Sequence, residues 1–254
     1  MKKTLLIFAL LFPSIVVANP IDDQCPQFVS HGAPISSRVN TIYMCKQNYA
    51  VNYRTDTKTA EYVVEHLTVA SINGPAKRQD NFHSDNSLPV QYQSAVSDYI
   101  GSGYDRGHLA PAGDNTTTAD VMSESFLLSN MVPQNPNNNR VIWNHLETKI
   151  RSLVTNRYDV YVISGTIYQP GFKTVGRDKV GVPTFLWKVI YNNTNDRVAA
   201  FLIPNTALNV RELPKLAITV SDLEKLTAIQ FIPLTTNPLI KSDNRSARGW
   251  MTFN

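Results

Sequence analysis

Five short stretches rich in Val, Ile, Tyr and Thr either alternate apolar with polar residues or run continuously apolar. They predict strands over Tyr49–Tyr53, Tyr62–Val69, Asp159–Ile167, Phe185–Asn192 and Val198–Ile203. Helical spacing predicts short helices over Pro89–Asp98, Thr118–Phe126, Arg140–Thr155 and Ser221–Thr227. In the third, Ile142, Leu146, Ile150 and Leu153 form the apolar stripe that would bury the helix against a sheet. In the last, Ser221 is the expected N-cap, with Glu224 three residues on as in a capping box. Strands come in groups with helices between them, without strict alternation, which predicts an α+β fold and not a doubly wound parallel sheet. No repeat or low-complexity linker divides residues 21–254, so a single domain is expected over residues 19–254. The tail from Lys241 has little apolar periodicity and is expected to be loosely held.

The first residues have a different pattern. Lys2 and Lys3 precede an apolar run from Thr4 to Val17, and Val16, Val17 and Ala18 form a small-residue cleavage pattern, so residues 1–18 read as a signal peptide cut after Ala18. The alternative is a membrane anchor, but the run falls short of the roughly 20 residues needed to span a bilayer. Export implies a periplasmic or secreted protein in an oxidising compartment. There Cys25 and Cys45, the 2 cysteines of the chain, are expected to form a disulfide, the alternative being two free buried thiols.

With 43% apolar and 17% charged residues the chain is neither disordered nor a disulfide scaffold. Loss of Lys2 and Lys3 from the 24 Lys+Arg leaves 22 against 20 Asp+Glu, a net charge of only +2. Affinity for a polyanion must therefore come from local arginine placement and not from bulk charge.

Chemistry-bearing residues concentrate between Tyr104 and Arg151. Asp105, Arg106, Gly107 and His108 place a cation and an imidazole on the same face of an extended segment. That pair suits a phosphodiester, since arginine holds non-bridging oxygens and histidine takes a proton from water. The competing reading is a surface Asp105–Arg106 pair beside a packed His108. Asn139, Trp143, Glu147 and Arg151 recur at steps of four on the third helix, so that Asn139, Glu147 and Arg151 fan over about a third of its surface. An amide oxygen and a carboxylate two turns apart suit a hard cation that keeps most of its waters, as Mg2+ does. The competing readings are an N-cap for Asn139 and an exposed ion pair for Glu147 and Arg151. His31, His66, His83 and His145 have no zinc-ligand spacing and read as surface or packing residues.

Together, D-R-G-H at 105–108, S-N-x-x-P-Q from Ser129 and N-x-x-x-W-x-x-x-E from Asn139 resemble the non-specific DNA/RNA endonuclease family of the ββα-metal superfamily, the Serratia nuclease and endonuclease G type. The resemblance extends along most of the mature chain, and it implies a central antiparallel sheet flanked by helices, with the active site on a strand-loop-helix finger. By position in the motifs, His108 would be the general base and Asn139 the one direct ligand of Mg2+, with Mn2+ as the alternative ion. Glu147 would hold the ion's waters, Arg106 and Arg151 would contact phosphate, and Arg78 would match the family's upstream arginine. Asp105 would support the loop and Asn130 the packing beneath the metal helix. The implied activity is hydrolysis of DNA and RNA of any sequence to 5′-phosphate products. A nuclease of this fold restricted to DNA, as in DNA entry or toxin action, and a catalytically silent nucleic-acid-binding module are the other readings. An inhibitor protein would suit an exported nuclease, but no residue points to one, and oligomeric state is not legible.

Overall fold

The computed structural model describes residues 19–232 and 239–242. The signal peptide expected over residues 1–18 and the tail beyond Ser242 lie outside the described residues. Seven strands form the main sheet: β1 (Thr41–Cys45), β2 (Ala50–Arg54), β3 (Thr59–Leu67), β6 (Val160–Ile167), β7 (Phe185–Asn192), β8 (Arg197–Pro204) and β9 (Ala217–Ile218). Between β3 and β6 the chain makes a separate two-stranded pair, β4 (Asp105–His108) with β5 (Met131–Gln134). Three helices matter for the site and its support: α1 (Ala119–Ser125), α2 (Asn144–Thr155) and α3 (Val220–Thr227). The sheet order is β9-β8-β7-β6-β3-β2-β1, and every neighbouring pair is antiparallel.

The central strands read as nearly continuous apolar runs because both faces of the sheet are covered. On one face Val63, Leu67, Val160, Val162, Leu186 and Ile190 pack against Ile142, Leu146, Ile150 and Val154 of the α2 region. On the other, Tyr62, Val64, Trp187 and Val189 pack against Ile21 and Phe28 of the N-terminal segment and Leu223 of α3. Cys25 and Cys45 are disulfide-bonded, clipping that N-terminal segment to the edge strand β1. Closing a loop of this length contributes about 3 kcal/mol by restricting the unfolded chain.

All five expected strands are present. β3 starts earlier than expected, at Thr59, because its polar positions are inward and paired: Asn52 donates to Glu61 at 2.9 Å, and the Thr59 hydroxyl bonds that of Tyr168 at 2.6 Å. The strand β1 and the short β9 were not expected. Pro89–Asp98 is not one helix. It forms two single 3-10 turns, Val90–Tyr92 and Val96–Tyr99, because the chain is extended at Gln93 (φ −70°, ψ 152°) and again at Ala95. The helix expected over Arg140–Thr155 begins as a wider π-helical turn, Asn138–Trp143, before α2. At α3 the cap is Thr219 and not Ser221, with the Thr219 hydroxyl accepting from Asp222 N–H at 3.0 Å. Glu224 makes no capping box. It accepts from the Phe231 N–H and from Lys241, both at 2.9 Å, so Lys241 itself is held.

Candidate active site

The β4–β5 pair, the π-helical turn and α2 form a ββα finger laid against one face of the sheet. Gly107 is required there: paired opposite Val132, it leaves no room for a Cβ, which would collide with the Gln134 side chain folded over it. Gln134 in turn donates to Asn138 at 2.7 Å, tying β5 to the start of the turn. Asn130, fully buried, accepts from Ala110 N–H at 2.9 Å and donates to the carbonyls of Ala110 and Ser125 at 2.8 Å. It locks the loop after His108 to the end of α1.

His108, Arg106, Arg78, Asn139, Glu147 and Arg151 all line one cleft of about 540 Å³. Asp105 and Asn130 stand behind it, and the disulfide lies at the sheet edge. The cleft wall also includes Arg140, which sequence reasoning passed over although it is the residue directly after Asn139. Four arginines and one carboxylate line the cleft, so the side chains on its wall are predominantly basic.

Asp105 does not pair with Arg106. Its carboxylate accepts two bonds from Arg140, at 2.8 and 2.6 Å, and one from Asn139 Nδ2 at 2.9 Å. Those partners hold the Asp105 carboxyl below its usual range against the opposing effect of burial. With Nδ2 committed, the amide oxygen of Asn139 faces the cleft, and no hydrogen bond reaches it among the described residues. Asn139 is not an N-cap, since it lies inside the π-helical turn.

Arg106 stacks 4.2 Å over the Phe82 ring, and its buried Nε has no partner among the described residues. Arg78 lies 5.0 Å over Phe126 and pairs with Asp80 at 2.7 Å. His108 stands edge-on to Phe126, with ring centroids 5.0 Å apart, and its carbonyl accepts from Trp143 Nε1 at 3.2 Å. Burial, and after it the charges of Arg78 and Arg106, pushes the imidazole pKa down to about 3, so the ring is neutral. Nε2 is buried with no partner among the described residues, which leaves Nδ1 as the nitrogen open to the cleft that His108 lines.

Glu147 and Arg151 do not form an exposed pair. Arg151 bonds the buried Asp114 at 2.9 Å. Glu147 is buried to 9% exposure and accepts no hydrogen bond among the described residues. Burial raises its pKa to about 7, with Lys188 opposing and Asp114 adding to the rise. A free amide oxygen and an unbonded carboxylate on one wall fit a hard divalent cation held mainly through its own water shell. Among the described residues no group of three or more His, Cys, Asp or Glu could cage a metal.

A model of the DNA/RNA non-specific endonuclease family matches residues 26–236. The mitochondrial nuclease EXOG of Xenopus laevis is 34% identical over 220 residues, covering 80% of this chain and 61% of that protein. A nuclease of Nostoc sp. is 33% identical over 251 residues, covering 88% of this chain and 90% of that protein. The chain thus spans about three-fifths of the length of the EXOG relative. The solved complex of EndoG with EndoGI, described as showing the mechanism of EndoG inhibition, matches with a TM-score of 0.74 at 26% identity, over 83% of this chain and 91% of that one.

Proposed function

Because the chain belongs to the DNA/RNA non-specific endonuclease family, whose model matches residues 26–236, we propose that it hydrolyses phosphodiester bonds of both DNA and RNA at this cleft, leaving 5′-phosphates. The observation that carries the reading is the meeting of neutral His108 and the free amide oxygen of Asn139 between four arginines in one cleft.

Each residue has a task that its geometry suits. Nδ1 of His108 accepts a proton from the attacking water, which requires the neutral ring that burial and the two arginines enforce. Binding of the phosphate partly neutralises Arg78 and Arg106, which raises the basicity of His108 where it is needed. Arg106, which lines the cleft, donates from its guanidinium to a non-bridging oxygen, and Arg78 and Arg151 surround the developing charge. Asn139, held by Asp105, offers its oxygen to a divalent cation, and Glu147 completes that wall with negative charge. Asn139 and Glu147 would hold the cation, Mg2+ or Mn2+, which would supply Lewis-acid chemistry. The cleft lining is dominated by arginines suited to phosphate, a contact that carries no base sequence, which supports substrates of any sequence.

Residues 1–18 are proposed to be a cleaved signal peptide directing the protein to the periplasm or beyond, and the Cys25–Cys45 disulfide supports an oxidising destination. The test of the activity is incubation of the chain from Asn19 with supercoiled plasmid and with structured RNA, each with Mg2+ and with EDTA. Degradation of both, stopped by EDTA, is expected. Cutting of DNA alone would restrict the substrate, and cutting of neither would overturn the reading.

A further inference from the structure

A lysine in the middle of a buried strand is costly unless its charge is used. Lys188 lies at the centre of β7, is 1% exposed, and points to the face of the sheet that carries the finger. Hydrolysis by His108, Asn139 and the arginines gives it no part. We propose that Lys188 is a positioning residue for that hydrolysis, fastening both the strand that presents His108 and the helical segment that presents Asn139 and Glu147 to the central sheet.

Lys188 Nζ donates to the hydroxyl of Ser164, its direct cross-strand partner on β6, at 2.6 Å, and to the carbonyl of Leu109 at 3.4 Å. The same ammonium sits 4.4 Å over the ring of Trp143, whose indole N–H holds the carbonyl of His108. Two consecutive carbonyls, those of His108 and Leu109, are therefore fixed by a mutually packed cation and indole. One is anchored in the sheet and the other lies in the helical turn between Asn139 and Glu147. The contact thus links the elements that carry the base and the cation ligand, and small displacements between such groups are expensive in rate.

A competing role for Lys188 is plain charge compensation. Glu65, on β3 beyond the intervening strand β6, is fully buried, and neither of its carboxylate oxygens is bonded among the described residues. The charged groups acting on Glu65 are Asp114, Lys188, Glu147 and Arg151, and those acting on Glu147 are Lys188, Asp114, Arg151 and Arg78. If Lys188 served only to neutralise Glu65, removing both charges together would restore everything, because a buried pair exchanged for neutral groups is often energetically level while a broken pair is not.

The inference rests on the nuclease reading, so wild-type cleavage of plasmid is the control. Its absence defeats that reading, whereas the comparison of variants bears on Lys188 alone. Thermal unfolding and steady-state cleavage are compared for wild type, Lys188→Met, Lys188→Arg and the double variant Glu65→Gln with Lys188→Met. The double variant is expected to unfold near the wild-type temperature with kcat down about 10–100-fold, the usual effect of removing an outer support of an active site. KM is expected to change little, as for an interaction that acts on chemistry and not on binding. Lys188→Arg should recover part of kcat. A double variant with wild-type kcat would overturn the proposal in favour of charge compensation alone. Failure of all three variants to fold would overturn it too, since Lys188 would then be a folding residue.

Discussion

Replacing Glu147 with glutamine should make the protein more stable and nearly inactive. Its carboxyl titrates near 4.5 when free and at about 7 in the folded chain, chiefly because burial disfavours the charged form. A raised carboxyl pKa means that the folded state binds its proton more tightly than the unfolded state. Stability is therefore fully present below the unfolded pKa and is lost as pH rises through the folded one. Each pKa unit corresponds to about 1.4 kcal/mol, so the cost of ionising Glu147 is about 1 kcal/mol at pH 5 and about 3 kcal/mol at pH 8. Glutamine never incurs this cost, although its amide hydrogens need partners that the site does not supply, which returns about 1 kcal/mol. The expected net gain at pH 8 is about 2 kcal/mol, or about 4–8 °C in unfolding temperature for a chain of this size, shrinking to nothing at pH 5. Urea or thermal unfolding of both proteins at the two pH values, without divalent cations, measures it. Equal effects at both pH values, or a less stable variant at pH 8, would refute the reasoning. The variant should lose at least about 100-fold in kcat, because a neutral amide cannot take the place of a negative wall beside the cation.

His108→Ala should lower turnover by several orders of magnitude while circular dichroism shows an intact fold; a folded variant retaining most activity would remove the imidazole as the base. Asp105→Asn should weaken the hold on both Asn139 and Arg140 and raise the Mg2+ needed for half-maximal rate by about 10-fold; an unchanged requirement would show that Asn139 keeps its orientation unaided. Reduction of the Cys25–Cys45 bond should cost about 3 kcal/mol of stability, read as a lower urea midpoint, and leave kcat at 25 °C unchanged because neither cysteine lines the cleft.

The sheet was legible where one physical signal dominated. Phe185–Asn192 is a strand with the expected ends because an apolar, β-branched and aromatic run has no competing period. Thr59 and Glu61 hid the start of β3, since polar residues paired inward carry no hydrophobic signature. The Asn138–Trp143 segment read as ordinary helix because a π-helical turn differs from an α-helix by one residue of hydrogen-bond spacing, which no composition marks. In the site, motif residues could be named but their partners could not. Asp105 beside Arg106 suggested a local pair, and the structure joins it to Arg140 and Asn139, more than thirty residues away. Glu147 and Arg151, correctly spaced for a surface pair, do not form one: Arg151 turns to the buried Asp114, and Glu147 is itself buried. Lys188 left a signal in the sequence that was passed over: a single charge inside the otherwise apolar run F-L-W-K-V-I-Y.

The proposed mechanism depends on a divalent cation held at the oxygen of Asn139. Its most direct test compares wild type and Asn139→Ala for Mn2+ binding, monitored by electron paramagnetic resonance, and for the Mg2+ dependence of plasmid cleavage. Binding at least about 10-fold weaker, with the activation curve displaced to match, is the predicted result. Superimposable binding and activation curves in a folded variant would contradict the account.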